Sequence, residues 1–383
     1  MTRERRERVR KPTSRPAGER GNGVRLRKRA RIALGVSAGV VAVLALVVGG
    51  YVIRNVTYAS WDASRVKRAG FTEHQVRVNG SLLNYAEGPD NGPPLLLIHG
   101  QLTDWRSWSR ALPELSQQYH VYAIDCYGHG RSAHVPDKYS ANALAADVQQ
   151  FLTEVVGEPA TVAGHSSGGL IAAALAADAP EQVRGVVLED PPFFSSVLPR
   201  AKKTFNYVDL ATTTHEFLRS GEKDFTTFYI RNAAVWDLFQ GAKDRIQGSA
   251  LSYRKKHPDE PLRLFYMPPV INDLFRGMES YDPRFGETFY DDSFNQDFDH
   301  ARTLERITVT AVLIHTNWSY DDNGVLLAAM SGEDAQRARS LLKDVEFFKV
   351  DSGHGFHFEK PREFTQIALD FEKRERSDPV GRA

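Results

Sequence analysis

Apolar residues fall along this chain in three regimes. Residues 32–53 (IALGVSAGVVAVLALVVGGYVI) run for 22 positions without a charge. At 1.5 Å per residue a helix of that length reaches about 33 Å, enough to cross a hydrocarbon core about 30 Å thick. From residue 75 short apolar runs alternate with helix-spaced stretches. Residues 75–78 and 82–86 flank Asn79-Gly80, a hairpin signal. Leu95-Leu96-Leu97-Ile98 is a continuous apolar run, suited to a strand covered on both faces. Further strands are expected at 120–124, 160–163, 183–188, 309–314 and 345–350. Helices are expected around Trp105 to Leu115 (interrupted by Pro113), and over 143–156, 170–177, 333–342 and 361–371. Strands alternating with helices in this way imply a mostly parallel sheet with helices on both faces.

The third regime, 191–302, shows no such alternation yet holds twenty aromatic residues in 112, about double the 10% of the whole chain. An aromatic insertion between two strands, at the edge where such sheets bind ligands, reads as a lid after the sixth strand. The expected organisation is a basic tail (1–31), a transmembrane helix (32–53), a membrane-proximal linker (54–70), a core (71–190 and 303–375) and the lid (191–302).

Charge sharpens the N-terminal reading. Residues 1–31 carry 13 Lys or Arg against three Glu, and the whole chain is only +1, so the remainder is acidic. An acidic body argues against nucleic-acid binding. A basic flank before the apolar run predicts a tail in the cytoplasm and a catalytic domain outside it. No cleavage-site pattern follows the run, so a retained anchor is expected over a removed signal. Cys126, the one cysteine, rules out an intramolecular disulfide.

Several strand ends carry chemistry. Ala163-Gly164-His165-Ser166-Ser167-Gly168-Gly169 joins an apolar run to an alanine-rich segment. Its G-x-S-x-G pattern places Ser166 at the apex of a strained strand-to-helix turn and aims the Ser167 amide towards a substrate carbonyl. His99-Gly100-Gln101 follows the third strand, and Asp125-Cys126-Tyr127-Gly128-His129-Gly130-Arg131-Ser132 the fourth. Glu189-Asp190 closes the sixth strand, and Asp351-Ser352-Gly353-His354-Gly355 follows the last. In this order and placement the motifs resemble the α/β-hydrolase superfamily, in its serine-nucleophile branch with a lid, over about residues 75–371.

The resemblance implies an α/β-hydrolase fold and a Ser-His-Asp machine. Ser166 is the implied nucleophile and His354 the general base, with His357 its rival in the same loop. The Ser167 and Gln101 amides are the implied oxyanion hole. The acid is open. The loop after the seventh strand departs from the family's G-[DE]-x-D pattern; its Asp322, by spacing from His354, is favoured over Asp321, while Glu189 and Asp190 stand at the alternative position after the sixth strand. Serine at the apex argues against epoxide hydrolases and dehalogenases, whose nucleophile is a carboxylate. No metal-ligand spacing or phosphate-cradling loop is present, so neither metal nor cofactor is expected. The implied activity is hydrolysis of a small-molecule ester, secondarily an amide, with an apolar portion. Competing readings are an acyltransferase, a cofactor-free peroxidase-like relative, or an inactive ligand-binding protein on the same fold.

Overall fold

The structure is a computed structural model that describes residues 20–377. Residues 1–19 of the expected cytoplasmic tail lie outside the described residues. Eight strands form one sheet: β1 (Thr72–Val78), β2 (Ser81–Glu87), β3 (Pro94–Ile98), β4 (His120–Ile124), β5 (Ala160–His165), β6 (Val183–Glu189), β7 (Thr310–His315) and β8 (Val345–Lys349). Their spatial order is β1-β2-β4-β3-β5-β6-β7-β8. The β1–β2 and β2–β4 pairs are antiparallel, and the rest are parallel. Asn79 and Gly80 turn the first hairpin at φ 46 and 81, the left-handed geometry that an Asn-Gly pair tolerates.

The longer α-helices are α1 (Arg20–Arg68), α2 (Ala141–Phe151), α3 (Ser167–Asp178), α4 (Thr212–Ser220), α5 (Phe225–Asn232), α6 (Lys243–Lys256), α7 (Pro269–Met278), α8 (Pro283–Tyr290), α9 (His300–Arg306), α10 (Gly332–Leu341) and α11 (Pro361–Ser377). Pro113 does divide its segment, into a 3-10 turn (Trp105–Arg110) and a single helical turn (Leu112–Leu115).

Strand side chains alternate between two cores, as the pleat requires. Leu96 and Ile98 join Val162, Val186, Leu188 and Leu313 on the face covered by α2, α3 and the lid. Leu95 and Leu97 join Val187, Val312 and Ile314 on the other, against Trp108, Leu112 and α11 residues Phe364 and Phe371. All four residues of 95–98 are fully buried, which is why the run carries no polar position.

The lid, α4 to α9, is inserted between β6 and β7. Many of its aromatics are buried in the core cluster on that face of the sheet, among them Phe225, Tyr229, Trp236, Phe275, Phe285, Phe289 and Phe294.

Among the described residues, one helix is long and apolar enough to cross a membrane, Ala42–Arg68 within α1. Leu46 and Val47 on it are 76% and 63% exposed. From Asn55 onward the chain forms one compact unit. Residues 54–68, expected as a linker, are helical, and the helix stops at Gly70 with φ 88. The reason lies in its packing. Val66 is buried in the second core, and Asn55 donates to the Phe265 carbonyl (3.0 Å).

Leu97 is fully enclosed between β4 and β5. Leu97→Ala is expected to cost about 3 kcal/mol, through lost transfer energy and a cavity that close-packed strands cannot fill. Urea unfolding of the detergent-solubilised chain measures it.

Candidate active site

Strand β5 ends at His165 and α3 begins at Ser167, so Ser166 alone makes the turn. Its backbone lies at φ 55, ψ −123, a region that residues with a side chain avoid. The turn is possible because its neighbours lack Cβ atoms. A Cβ on Gly164 would collide with the Gly168 carbonyl, and one on Gly168 with the carbonyls of Ile98 and His99. The two glycines therefore let α3 rest its first turn directly on β3 and β5. The Ser166 amide donates to the Glu189 carbonyl (2.9 Å), tying the apex to β6. Ser167 is buried in the first turn of α3, where amides have no intrahelical partner and the helix end is positive.

The loop after β3 is built against this apex. His99 Nε2 accepts from the Cys126 amide (2.9 Å), so its proton sits on Nδ1, facing the Gly100 carbonyl at 2.7 Å. Burial pushes His99 down to about 4, and it stays a neutral clasp between β3 and β4. Gly100 leaves no space for a side chain, because its Cβ would lie 2.9 Å from that of Ser166. The Gln101 side chain is held by the Tyr281 hydroxyl, which donates to Oε1 (3.1 Å). The Asp125 carboxylate braces the loop from below, accepting from the amides of Trp105 (2.8 Å) and Arg131 (2.9 Å) and from Asn84 (2.8 Å). Gly130 is required there, since a Cβ would strike that carboxylate.

His354 shares a 2.7 Å hydrogen bond between Nδ1 and Asp190 Oδ2. Asp190 is fully buried, and Thr316 donates to it from its hydroxyl (2.6 Å) and amide (3.4 Å), with His315 Nδ1 also at 3.4 Å. Burial opposes its charge, but the hydrogen bonds of His315, His354 and Thr316 and the field of His354 outweigh it, holding the carboxyl well below its usual range. An ionised Asp190 only accepts, so His354 carries its proton on Nδ1 and keeps Nε2 as an acceptor. Desolvation pulls His354 down, yet the bond to Asp190 and its charge prevail and raise it above 6.5. Its ring lies 4.6 Å from that of His165, whose Nε2 meets the His354 carbonyl at 3.0 Å. The His354 ring is thereby brought beside the residue preceding Ser166.

The acid expected from the sequence is not the one that meets the histidine. Asp322 is exposed at the tip of a turn, and Asp321 is spent on that turn, accepting from the amides of Asn323 (2.9 Å) and Val325 (2.7 Å). Within the loop after β7, Leu326 pairs with Tyr320 and with Thr204 of the insertion. Asp190, at φ 45 past the end of β6, turns inward instead. The signal was present: a loop lacking the family's acid pattern, and two consecutive carboxylates at a strand end.

The first of those carboxylates, Glu189, holds the rival histidine. His357 is buried, and both its amide (2.9 Å) and its Nδ1 (2.8 Å) engage Glu189 Oε1. It stacks on Trp108 at 3.9 Å. Burial pushes Glu189 up to about 7 and His357 down to about 3. His165, Glu189 and His357 bring three potential metal-ligand atoms within 4.8 Å, the one such group among the described residues. Both Glu189 oxygens are already bonded to His357, so the cluster acts as a buried brace for the loop bearing His354.

A serine at a glycine-flanked apex and a histidine on a buried carboxylate, both at the C-terminal edge of a mostly parallel sheet, are the arrangement of the α/β-hydrolase class. The Alpha/beta hydrolase family model matches residues 95–367, and the chain belongs to that family. It is 35% identical over 316 residues to the bifunctional epoxide hydrolase 2 of Sus scrofa, covering 76% of this chain and 53% of that protein. A soluble epoxide hydrolase of Corynebacterium sp. (strain C12) is 28% identical over 159 residues, 42% of this chain and 54% of its own. The chain thus spans about half the length of these curated relatives. Among solved structures, a bacterial membrane phospholipase A described as a virulence factor aligns with TM-score 0.58 at 25% identity, covering 91% of this chain and 99% of its own. The enol-lactonase of Burkholderia xenovorans LB400 aligns with TM-score 0.55 and covers 78% of this chain, a likeness of fold.

Removing the partner that favours imidazolium must lower the histidine's pKa. Asp190→Asn is therefore expected to bring His354 titration below its wild-type value, while Asp322→Asn leaves it in place. NMR of the His354 ring against pH reads both.

Proposed function

We propose that this chain is a membrane-anchored serine hydrolase that cleaves an ester with an apolar portion, using Ser166 as nucleophile, His354 as base and Asp190 as acid. The observation that carries the reading is the 2.7 Å bond between His354 and the buried Asp190, with the His354 ring 4.6 Å from that of His165, the residue before a serine in strained elbow geometry. Ser166 Oγ bonds to the carbonyl carbon as its proton passes to His354 Nε2. The carbonyl electrons move onto oxygen, which the Ser167 and Gln101 amides receive. Collapse expels the alcohol, which takes the proton from His354. Water then attacks the acyl-enzyme, His354 again holding the proton and returning it to Ser166.

Relatives named epoxide hydrolases raise a second substrate class, and the chemistry weighs against it. Serine attack on an epoxide carbon leaves an alkyl ether, which has no carbonyl for water to attack. Serine attack on an ester leaves another ester, which does.

The anchor is the apolar run of α1, with residues 1–31 in the cytoplasm and the hydrolase outside, supported by the basic flank. The alignment to a membrane phospholipase A supports a lipid-like ester. It covers 91% of this chain, against 78% for the enol-lactonase, and so extends beyond the hydrolase core.

Ser166→Ala is expected to abolish fluorophosphonate labelling and reduce turnover of aryl and phospholipid esters by about 10⁴-fold or more, with unchanged thermal unfolding. Turnover retained in that variant would remove the mechanism. For the wild type, kcat/KM should rise with pH through an apparent pKa above 6.5, because only neutral His354 accepts the proton.

A further inference from the structure

Three successive features of the lid converge on the loop after β3. Arg276, on α7, forks onto Asp104 through Nη1 (2.5 Å) and Nη2 (3.0 Å), and reaches Asp273 one turn back through Nε (2.9 Å) and Nη2 (3.2 Å). Its side chain is 17% exposed, and those of Asp104 and Asp273 are 3% and 7%. Gly277, the next residue, has no room for a Cβ because the Leu102 carbonyl occupies that space. Tyr281, just beyond α7, donates to the Gln101 side chain. The segment these residues grip is short and strained, with Leu102 at φ 58. A β-side chain in that conformation persists only where its surroundings hold it.

The carboxylate of Asp104 also caps the turn that follows, accepting from the Arg106 amide at 2.8 Å. Burial opposes its charge, but the Arg276 guanidinium outweighs it and holds Asp104 well below the usual carboxylate range. One end of the loop is thus fixed by a charged fork and its middle by backbone contact with α7. On the other side, Thr103 Oγ1 donates to the Gly100 carbonyl (2.9 Å). Between these fixed points lies the Gln101 amide.

We propose that Arg276 and Gly277 are positioning residues, through which lid helix α7 clamps the strained 101–104 loop and sets the Gln101 amide to receive the oxyanion. The proposal rests on the serine-hydrolase reading above. It makes the lid a working part of the transition-state site, besides any covering of substrate. Neither residue touches the reacting atoms; both act through the loop backbone.

The test uses the full-length chain in detergent micelles with Arg276→Lys, Gly277→Ala and Asp104→Asn. Active sites are counted by titration to completion with a fluorophosphonate, kcat is expressed per titrated site on a short aryl ester, and inhibition by phenylboronic acid is measured. The boronate forms a tetrahedral adduct at a serine and so reports on the oxyanion donors. Arg276→Lys keeps the charge and loses the two-point fork, and Gly277→Ala pushes on the Leu102 carbonyl. Each should lower kcat per site about ten- to hundredfold, weaken the boronate in step, and leave KM within about twofold. Asp104→Asn, nearly the same shape, should lose about fivefold on both readings.

A purely structural role would reduce the number of titratable sites and leave per-site values alone. Per-site kcat and boronate affinity within twofold of wild type in Arg276→Lys and Asp104→Asn overturn the proposal, even where Gly277→Ala does not fold. A wild-type chain that never labels defeats the hydrolase reading itself, a failure visible before any variant is compared.

Discussion

The first turn of α3 lies so close to β3 that the carbonyls of Ile98 and His99 exclude any side chain at residue 168. Most of the candidate chemistry follows from that approach. It sets Ser166 at the apex, delivers the Ser167 amide at the helix end, and presses the loop after β3 against the same point. Ser166, Leu102 and Asp190 all have positive φ without being glycine, at 55, 58 and 45. They stand past the ends of β5, β3 and β6, three neighbouring strands. Such conformations cost about 1–3 kcal/mol each, and the packed sheet and its covering helices offset that cost. Strain concentrated at one sheet edge is what separates this rim from the opposite one.

Two adjacent carboxylates show how partners decide charge. Glu189 and Asp190 are both fully buried. Glu189 faces a neutral His357 and is pushed up to about 7 by burial. Asp190 meets the same penalty, but hydrogen bonds from His315, His354 and Thr316 override it. Glu189 is the last residue of β6, while Asp190 turns just past it at φ 45, so one acid supports the loop and the other meets the histidine. Separation of the two roles needs no distance along the chain, only a turn of the backbone.

Much of this was legible in the residues. Continuous apolar runs marked the buried strands, because a parallel sheet leaves no polar face. The elbow could be read because glycine spacing there is a steric demand, and the histidine loop by its place after the last strand. The acid could not be read by spacing. Asp190 and Asp322 both follow a strand of the same sheet, and choosing between them depends on which loop folds inward. Leu326, in the second of those loops, pairs with Thr204 of the insertion, a long-range contact without a local pattern. The helical state of residues 54–68 was hidden for a similar reason. It depends on tertiary burial of Val66 and Asn55, and composition there is mixed.

That helical stretch has a practical consequence. Tyr58 donates to Asp273 (3.3 Å), the same carboxylate that steadies Arg276, and Asp62 accepts from Arg110 (3.0 Å). Anyone trimming the gene to obtain an easily purified, water-soluble fragment would be tempted to begin at Gly70. Such a fragment would bare Phe71 and the groove around Trp105 and Phe358, and would leave Arg110 without its aspartate. A start placed before Asn55 keeps those bonds while discarding the greasy segment, so the choice of first codon decides whether the fragment resembles its parent.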